Sequence, residues 1–199
     1  MNSDDIGGTT QSRATNMEPN HLYHIYNRGN NRQRIFFTQK HYFYFQKKML
    51  NHLTPHVSVL AFCLMPNHFH LLVYTKGSYC EKEFKQHFKT MLSSYTRGVN
   101  KELGRCGSLF QQNSKFKLLK EENEFYPIIC FNYIHQNPYR AGLVEKLENW
   151  RHSSYPHYCL EKQTPIIDEI VAKDILNLPN NADEIKRLSR DLVPDGFRL

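Results

Sequence analysis

Two apolar runs joined by Pro66-Asn67 constrain this chain more than any other feature of its sequence. Val57 to Met65 is continuously apolar apart from Ser58, and His68 to Thr75 resumes after the break. Runs of this length bounded by a Pro-Asn turn predict two antiparallel strands, 57–65 and 68–75, forming a hairpin at the centre of a sheet. Side chains alternate along a strand, so His68 and His70 share one face and Phe69 turns to the other. Two imidazoles side by side on a strand could share a metal ion, since histidine is the commonest metal ligand. By itself an H-x-H pair on an apolar strand is more often packing or a surface accident than a metal site, so the rest of the chain must decide.

The remaining elements follow in order. Residues 1–20 are rich in Asn, Ser, Thr and Gly and lack periodicity, which predicts a disordered tail. His21 to Arg28 alternates as a first strand, with Leu22, His24 and Tyr26 on one face, and Gly29-Asn30-Asn31 breaks it. Thr38 caps a helix to Leu53 carrying Tyr42, Phe45, Met49 and Leu53 at helical spacing. A second helix spans 81–103, with Phe84, Phe88, Met91, Leu92 and Tyr95 as its buried stripe. Leu109 to Leu119 reads as extended. Glu121, Glu122 and Glu124 open a third helix, where carboxylates suit the dipole, and Asn137-Pro138 ends it. The order strand, helix, strand, strand, helix, strand, helix predicts an α+β fold. It is a ferredoxin-like split βαβ antiparallel sheet with helices on one face and an added helix. Residues 21–158 form the domain, and 159–199 an extension with short amphipathic helices over 166–176 and 182–192.

Charge narrows the function. The chain carries +7 overall, but residues 21–159 hold 19 basic and 8 acidic side chains, while both ends are slightly acidic. Positive charge concentrated in the folded part points to a polyanion partner. Between Glu18 and Glu81 there is no carboxylate at all. A two-metal centre built on carboxylates is therefore excluded from the histidine segment. Five cysteines without a C-x-x-C pair indicate reduced thiols and a cytoplasmic protein. No apolar run reaches the length of a membrane span, and no charged-then-apolar leader opens the chain.

Near the end of the third helix stands Tyr133-Ile134-His135-Gln136-Asn137-Pro138. Tyr133 and Asn137 are four apart and share a helix face. A phenol and an amide so placed could serve as nucleophile and metal ligand, but Tyr42 and Gln46 have the same spacing. Met65 to Leu72 followed by Tyr133 to Val144 resembles the REP-associated tyrosine transposases, single-strand transposases of the HUH endonuclease superfamily. The similarity runs from His21 to Tyr158 and includes His24-Ile25-Tyr26-Asn27-Arg28-Gly29, Leu109-Phe110-Gln111 and Trp150 to Tyr155. Tyr139 departs from the family, which usually has a small aliphatic residue there.

The resemblance implies a DNA-nicking and joining enzyme that cleaves single-stranded DNA at hairpins through a 5′-phosphotyrosine intermediate. It implies Tyr133 as nucleophile and His68, His70 and Asn137 as ligands of Mg²⁺ or Mn²⁺. Arg28, Arg32, Arg34, Lys115 and Lys117, interleaved with Tyr26, Phe36 and Phe116, are candidate DNA contacts. The protein would act as a monomer or homodimer on hairpin DNA. Free histidine titrates near ~6.5, so activity is expected to fall as pH drops through that region. The competing reading is a non-catalytic single-stranded nucleic-acid-binding module, because the same sheet serves elsewhere as a base-stacking platform.

Overall fold

The computed structural model describes residues 16–119, 125–160, 162–190 and 193. Four strands form one sheet: β1 (Leu22–Arg28), β2 (Val57–Met65), β3 (His68–Thr75) and β4 (Lys115–Leu118). Their spatial order is β2-β3-β1-β4, and every pairing is antiparallel. The intervening helices are α1 (Gln39–His52) and α2 (Glu81–Leu103), and α3 (Tyr126–Arg140) follows β4. This is the α+β split βαβ arrangement expected from the element order.

The two faces of the sheet have different partners. Phe69 points to the face that α1 and α2 cover: its ring lies 5.3 Å from Phe45 of α1, which meets Tyr95 of α2 at 4.9 Å. Gly98 allows the two helices to approach closely, since a Cβ there would stand 2.8 Å from the Tyr44 ring. Gly104 ends α2 in the left-handed conformation (φ 62°) that glycine adopts without a Cβ penalty. The third helix packs on the opposite face, against β2 and β3. It is the added helix of the prediction, on the side where His68 and His70 point.

Several expectations need correction. The hairpin is not central: β2 is the end strand, and β3 with β1 forms the middle. Yet β2 is buried along its whole length because later chain covers its edge. Leu64 N–H donates to the His152 carbonyl (2.9 Å), Ser154 N–H to Phe62 (2.9 Å) and Asp168 N–H to Val59 (3.0 Å). Covering an edge satisfies backbone groups that would otherwise template association. A strand buried on both faces and along its edge reads as continuous apolar sequence, as a central one would.

The third helix is not stopped at Asn137-Pro138; it continues through Pro138 to Arg140. Proline so near the end removes one hydrogen bond, and Arg140 in the last turn donates to the Val193 carbonyl, while two earlier residues of the helix anchor it to the same part of the chain. Asn132 Nδ2 donates to Leu188 O (3.0 Å), Gln136 Nε2 donates to Ser189 O (3.2 Å), and Gln136 Oε1 accepts from Val193 N (3.0 Å). Of the extended stretch 109–119, only 115–118 pairs as a strand, and Phe110 makes a single bridge to Gly29. Glu121, Glu122 and Glu124 lie outside the described residues, as do residues 1–15 of the expected tail.

Residues 16–20 belong to the folded part instead: Met17 is buried, and its N–H donates to Glu81 (2.8 Å). Beyond Trp150 the chain forms α4 (Tyr155–Cys159), α5 (Glu169–Leu176) and α6 (Ala182–Leu188). Ile166, Ala172, Leu176 and Ile185 join the same core as the sheet. Among the described residues, no helix is long and apolar enough to cross a membrane.

Candidate active site

The pleat of β3 places His68 and His70 on the face toward α3, with their ring centroids 5.1 Å apart. Pairing fixes their neighbours: Arg28 and Tyr26 of β1 stand opposite His68 and His70, and His24 lies one step further. His24 Nε2 is 2.9 Å from His70 Nδ1, and the two rings stack at 5.0 Å. Across this face comes Tyr133. Its ring meets His70 edge-on at 5.7 Å and His24 at 6.3 Å. Asn137 follows one turn later on the same helix. Its amide nitrogen donates to the Tyr133 carbonyl (2.7 Å), which leaves Oδ1 as the atom available to an ion.

Hydrogen bonding sets one tautomer. His68 Nδ1 lies 2.6 Å from Asn67 Oδ1, which can only accept, so the proton sits on Nδ1 and the Nε2 lone pair is free. Asn67 thereby acquires a role in the site that spacing alone did not show. Burial keeps the imidazoles neutral. Desolvation, with the nearby Arg28 charge, lowers the His68 pKa to about 4. Desolvation, with His24, His68 and Arg28 as neighbours, holds His70 well below the usual imidazole range. For His24 desolvation dominates again and brings it to about 3. The expected loss of ligand neutrality near ~6.5 therefore moves to lower pH, because a buried ring resists protonation. Desolvation also raises the Tyr133 phenol above its ordinary value, partly offset by Arg140 and Arg28.

Among the described residues, no group of three His, Cys, Asp or Glu is arranged to hold a metal ion. The donor set expected from the resemblance is smaller and mixed, two imidazoles and one amide oxygen; the two imidazoles share one face, and Asn137 lies one turn from Tyr133 on α3. Such a set suits a divalent ion that takes its remaining ligands as oxygens from water and substrate. The sequence places His24 on the first strand and within the resembling segment, without a role in the site. Its parity with Tyr26 along β1 was legible, but the β1–β3 register that brings it to His70 was not.

The predicted DNA contacts divide. Arg28 is exposed and faces His68 across the β1–β3 pair. Arg32 sits in the turn after β1, where its carbonyl accepts from Asn67 Nδ2 (3.3 Å), and Arg34 is exposed beyond it. Lys115 and Lys117 pair with Tyr26 and His24, so they lie on the site's face of the sheet. Lys117 is partly engaged, donating to the Tyr126 hydroxyl (2.9 Å). Phe36 is not an accessible base-stacking ring: it is buried and stacked on Tyr42 at 4.4 Å. Tyr42, the rival phenol, belongs to α1 on the other face and is itself buried, stacked on His152 at 3.8 Å.

No family model and no curated protein sequence matches this chain. Its structure is similar to a solved structure of the REP-associated tyrosine transposase bound to a REP hairpin, with a TM-score of 0.59 at 15% sequence identity. The match covers 79% of this chain and 90% of that one. The likeness at this identity is one of fold, and the chain shares the sheet-and-helix architecture of that transposase.

Proposed function

We propose that this chain is a single-stranded DNA endonuclease and strand transferase that cuts at hairpins with Tyr133 as nucleophile. The observation that carries the reading is the convergence of Tyr133 with His68 and His70 on one sheet face, reached from elements some sixty residues apart. The resemblance of both motifs to tyrosine transposases, and a fold neighbour bound to a DNA hairpin, support the substrate class.

In the proposed reaction the Tyr133 oxygen attacks a backbone phosphorus of the single strand. The new P–O bond to tyrosine forms as the bond to the 3′ oxygen breaks, and the phenolic proton is balanced by protonation of that leaving oxygen. The products are a 5′-phosphotyrosine link and a free 3′-hydroxyl. Attack of a 3′-hydroxyl on the link reverses the exchange, so joining needs no external energy source. Mg²⁺ or Mn²⁺ held by His68, His70 and Asn137 Oδ1 would polarise the scissile phosphate and offset its developing charge. Arg28, exposed beside His68, is placed to attract the phosphate and to oppose the desolvation that keeps the phenol protonated.

The test is incubation with labelled single-stranded hairpin DNA and Mg²⁺ or Mn²⁺, followed by a denaturing gel. A covalent protein–DNA adduct is expected. Metal-independent binding without any adduct would favour a non-catalytic binding module instead.

A further inference from the structure

A groove of about 1160 Å³ runs along the outer edge of β4, the end strand, between that strand with its preceding segment and the outward side of α2. Its α2 wall is polar and periodic. Lys89, Ser93, Arg97 and Asn100 recur at helical spacing and form one stripe beside the buried one. The opposite wall is the segment 107–118. Asn27, buried under it, holds this wall in place by donating to Ser114 Oγ (2.7 Å) and the Gln111 carbonyl (3.1 Å).

Two features identify an occupant. The first is charge: five lysines and arginines line the groove, and none of its lining residues is acidic. Lys85 is paired with Glu81 (2.6 Å) and Lys117 with the Tyr126 hydroxyl. Lys89, Arg97 and Lys115 are exposed and form no ion pair with any described residue. Lys89 and Arg97 stand about 12 Å apart along the helix axis at ~1.5 Å per residue, so they serve successive phosphates better than one. The second feature is where the groove leads. Tyr26 lines it and also lies 5.8 Å from His70, stacked on His24 at 4.8 Å. Phe116, half-buried against Phe88 at 5.3 Å, supplies an apolar floor between the two ends.

We propose that this groove binds the single-stranded segment of the DNA flanking the cleavage site, with Lys89, Arg97 and Lys115 on its phosphates. A cationic channel floored by aromatic rings suits an unpaired strand, because phosphates and base faces can both be satisfied without sequence-specific contacts. The inference rests on the proposed substrate class but not on catalysis by Tyr133. It enlarges the DNA surface from the β-strand cations to a face of α2 that otherwise has the character of ordinary solvated helix.

The test compares wild-type protein with a Lys89→Ala/Arg97→Ala/Lys115→Ala variant and a charge-matched Lys47→Ala/Lys82→Ala/Lys101→Ala control. Fluorescence anisotropy is read on a blunt DNA hairpin and on the same hairpin with a single-stranded tail, across a salt series. The groove variant should lose on the order of tenfold in affinity for the tailed DNA, with a salt slope shallower by about 2, from ~0.7 per phosphate contact. Its affinity for the blunt hairpin should fall by a smaller factor than its affinity for the tailed DNA, and the control should retain the tail preference. A groove variant that still prefers the tailed hairpin to the same degree overturns the proposal. Covalent adduct is scored on the same samples. An adduct with an undiminished tail preference removes the groove and leaves the catalytic reading. A lost tail preference with no wild-type adduct does the reverse.

Discussion

His24 Nε2 lies 2.9 Å from His70 Nδ1, and neither ring is charged at neutral pH, so the pair shares a single hydrogen-bonding proton. If His70 is to hold an ion through Nε2, its Nδ1 must carry the proton and donate it to His24. His24 Nδ1 is then protonated, and that buried atom has no hydrogen-bond partner among the described residues. His24 thus acts on the ion through His70, orienting the ring and selecting its tautomer. His24→Phe should weaken Mn²⁺ binding by ~10–100-fold, the usual effect of losing such a partner. His24→Gln, whose amide oxygen can accept, should recover part of the loss. Calorimetric titration of Mn²⁺ into the protein with uncleavable DNA reads this, and equal affinity in all three proteins would exclude the role.

Tyr133→Phe keeps the partly buried ring that faces His70 and removes only the hydroxyl, so stability should change by less than ~1 kcal/mol. The variant is expected to bind hairpin DNA like wild type and to form no adduct. Tyr42→Phe should remain active, because Tyr42 is buried on the other side of the sheet. Peptide mapping of the wild-type adduct decides between them. A nucleotide on any other tyrosine refutes the assignment.

Replacing His68 and His70 together by alanine removes both imidazole donors. A metal's contribution of several kcal/mol to such a transition state corresponds to a loss on the order of a thousandfold at ~1.4 kcal/mol per decade. Hairpin affinity should persist, since it rests on cations elsewhere. Cleavage rates that are unchanged in the double variant, or in excess chelator, would place the chemistry at another site.

Acid should weaken the fold before it saturates the ligands with protons. His24 and His135 are buried and held to about 3, and His68 to about 4, chiefly by desolvation. Their folded-state values are depressed below the ordinary 6.5, so the unfolded chain binds more protons as pH falls from there toward the folded values. Stability is therefore full above ~6.5 and declines below it, by up to ~1.4 kcal/mol per pH unit for each such group. Chemical denaturation at a series of pH values should show this slope. His135→Asn, which removes a fully buried ring bonded to Ser154 (2.7 Å), should make it shallower. A slope identical in the variant would mean that His135 is not among the titrating groups.

The sequence alone determined which local segments become strands and helices, because hydrophobic period and turn residues are properties of neighbouring positions. The strands 57–65 and 68–75 and the helix 81–103 match the structure at both ends. The shared face of His68 and His70 follows from the same alternation. Pairing and packing across distance were not legible in this way. Nothing local in Val57 to Met65 says whether its edge is covered by another strand or, as here, by the chain at 152–154 and 168. Pro138 reads as a stop by intrinsic preference, yet the helix continues to Arg140, whose guanidinium donates to the distant Val193 carbonyl. His24 could be placed on a strand face but not beside His70, since register is a relation between two strands. Only the tertiary structure brings Tyr133, rather than Tyr42, against the histidines. The two phenols have equivalent helical spacing, and what separates them is which face of the sheet each helix packs on.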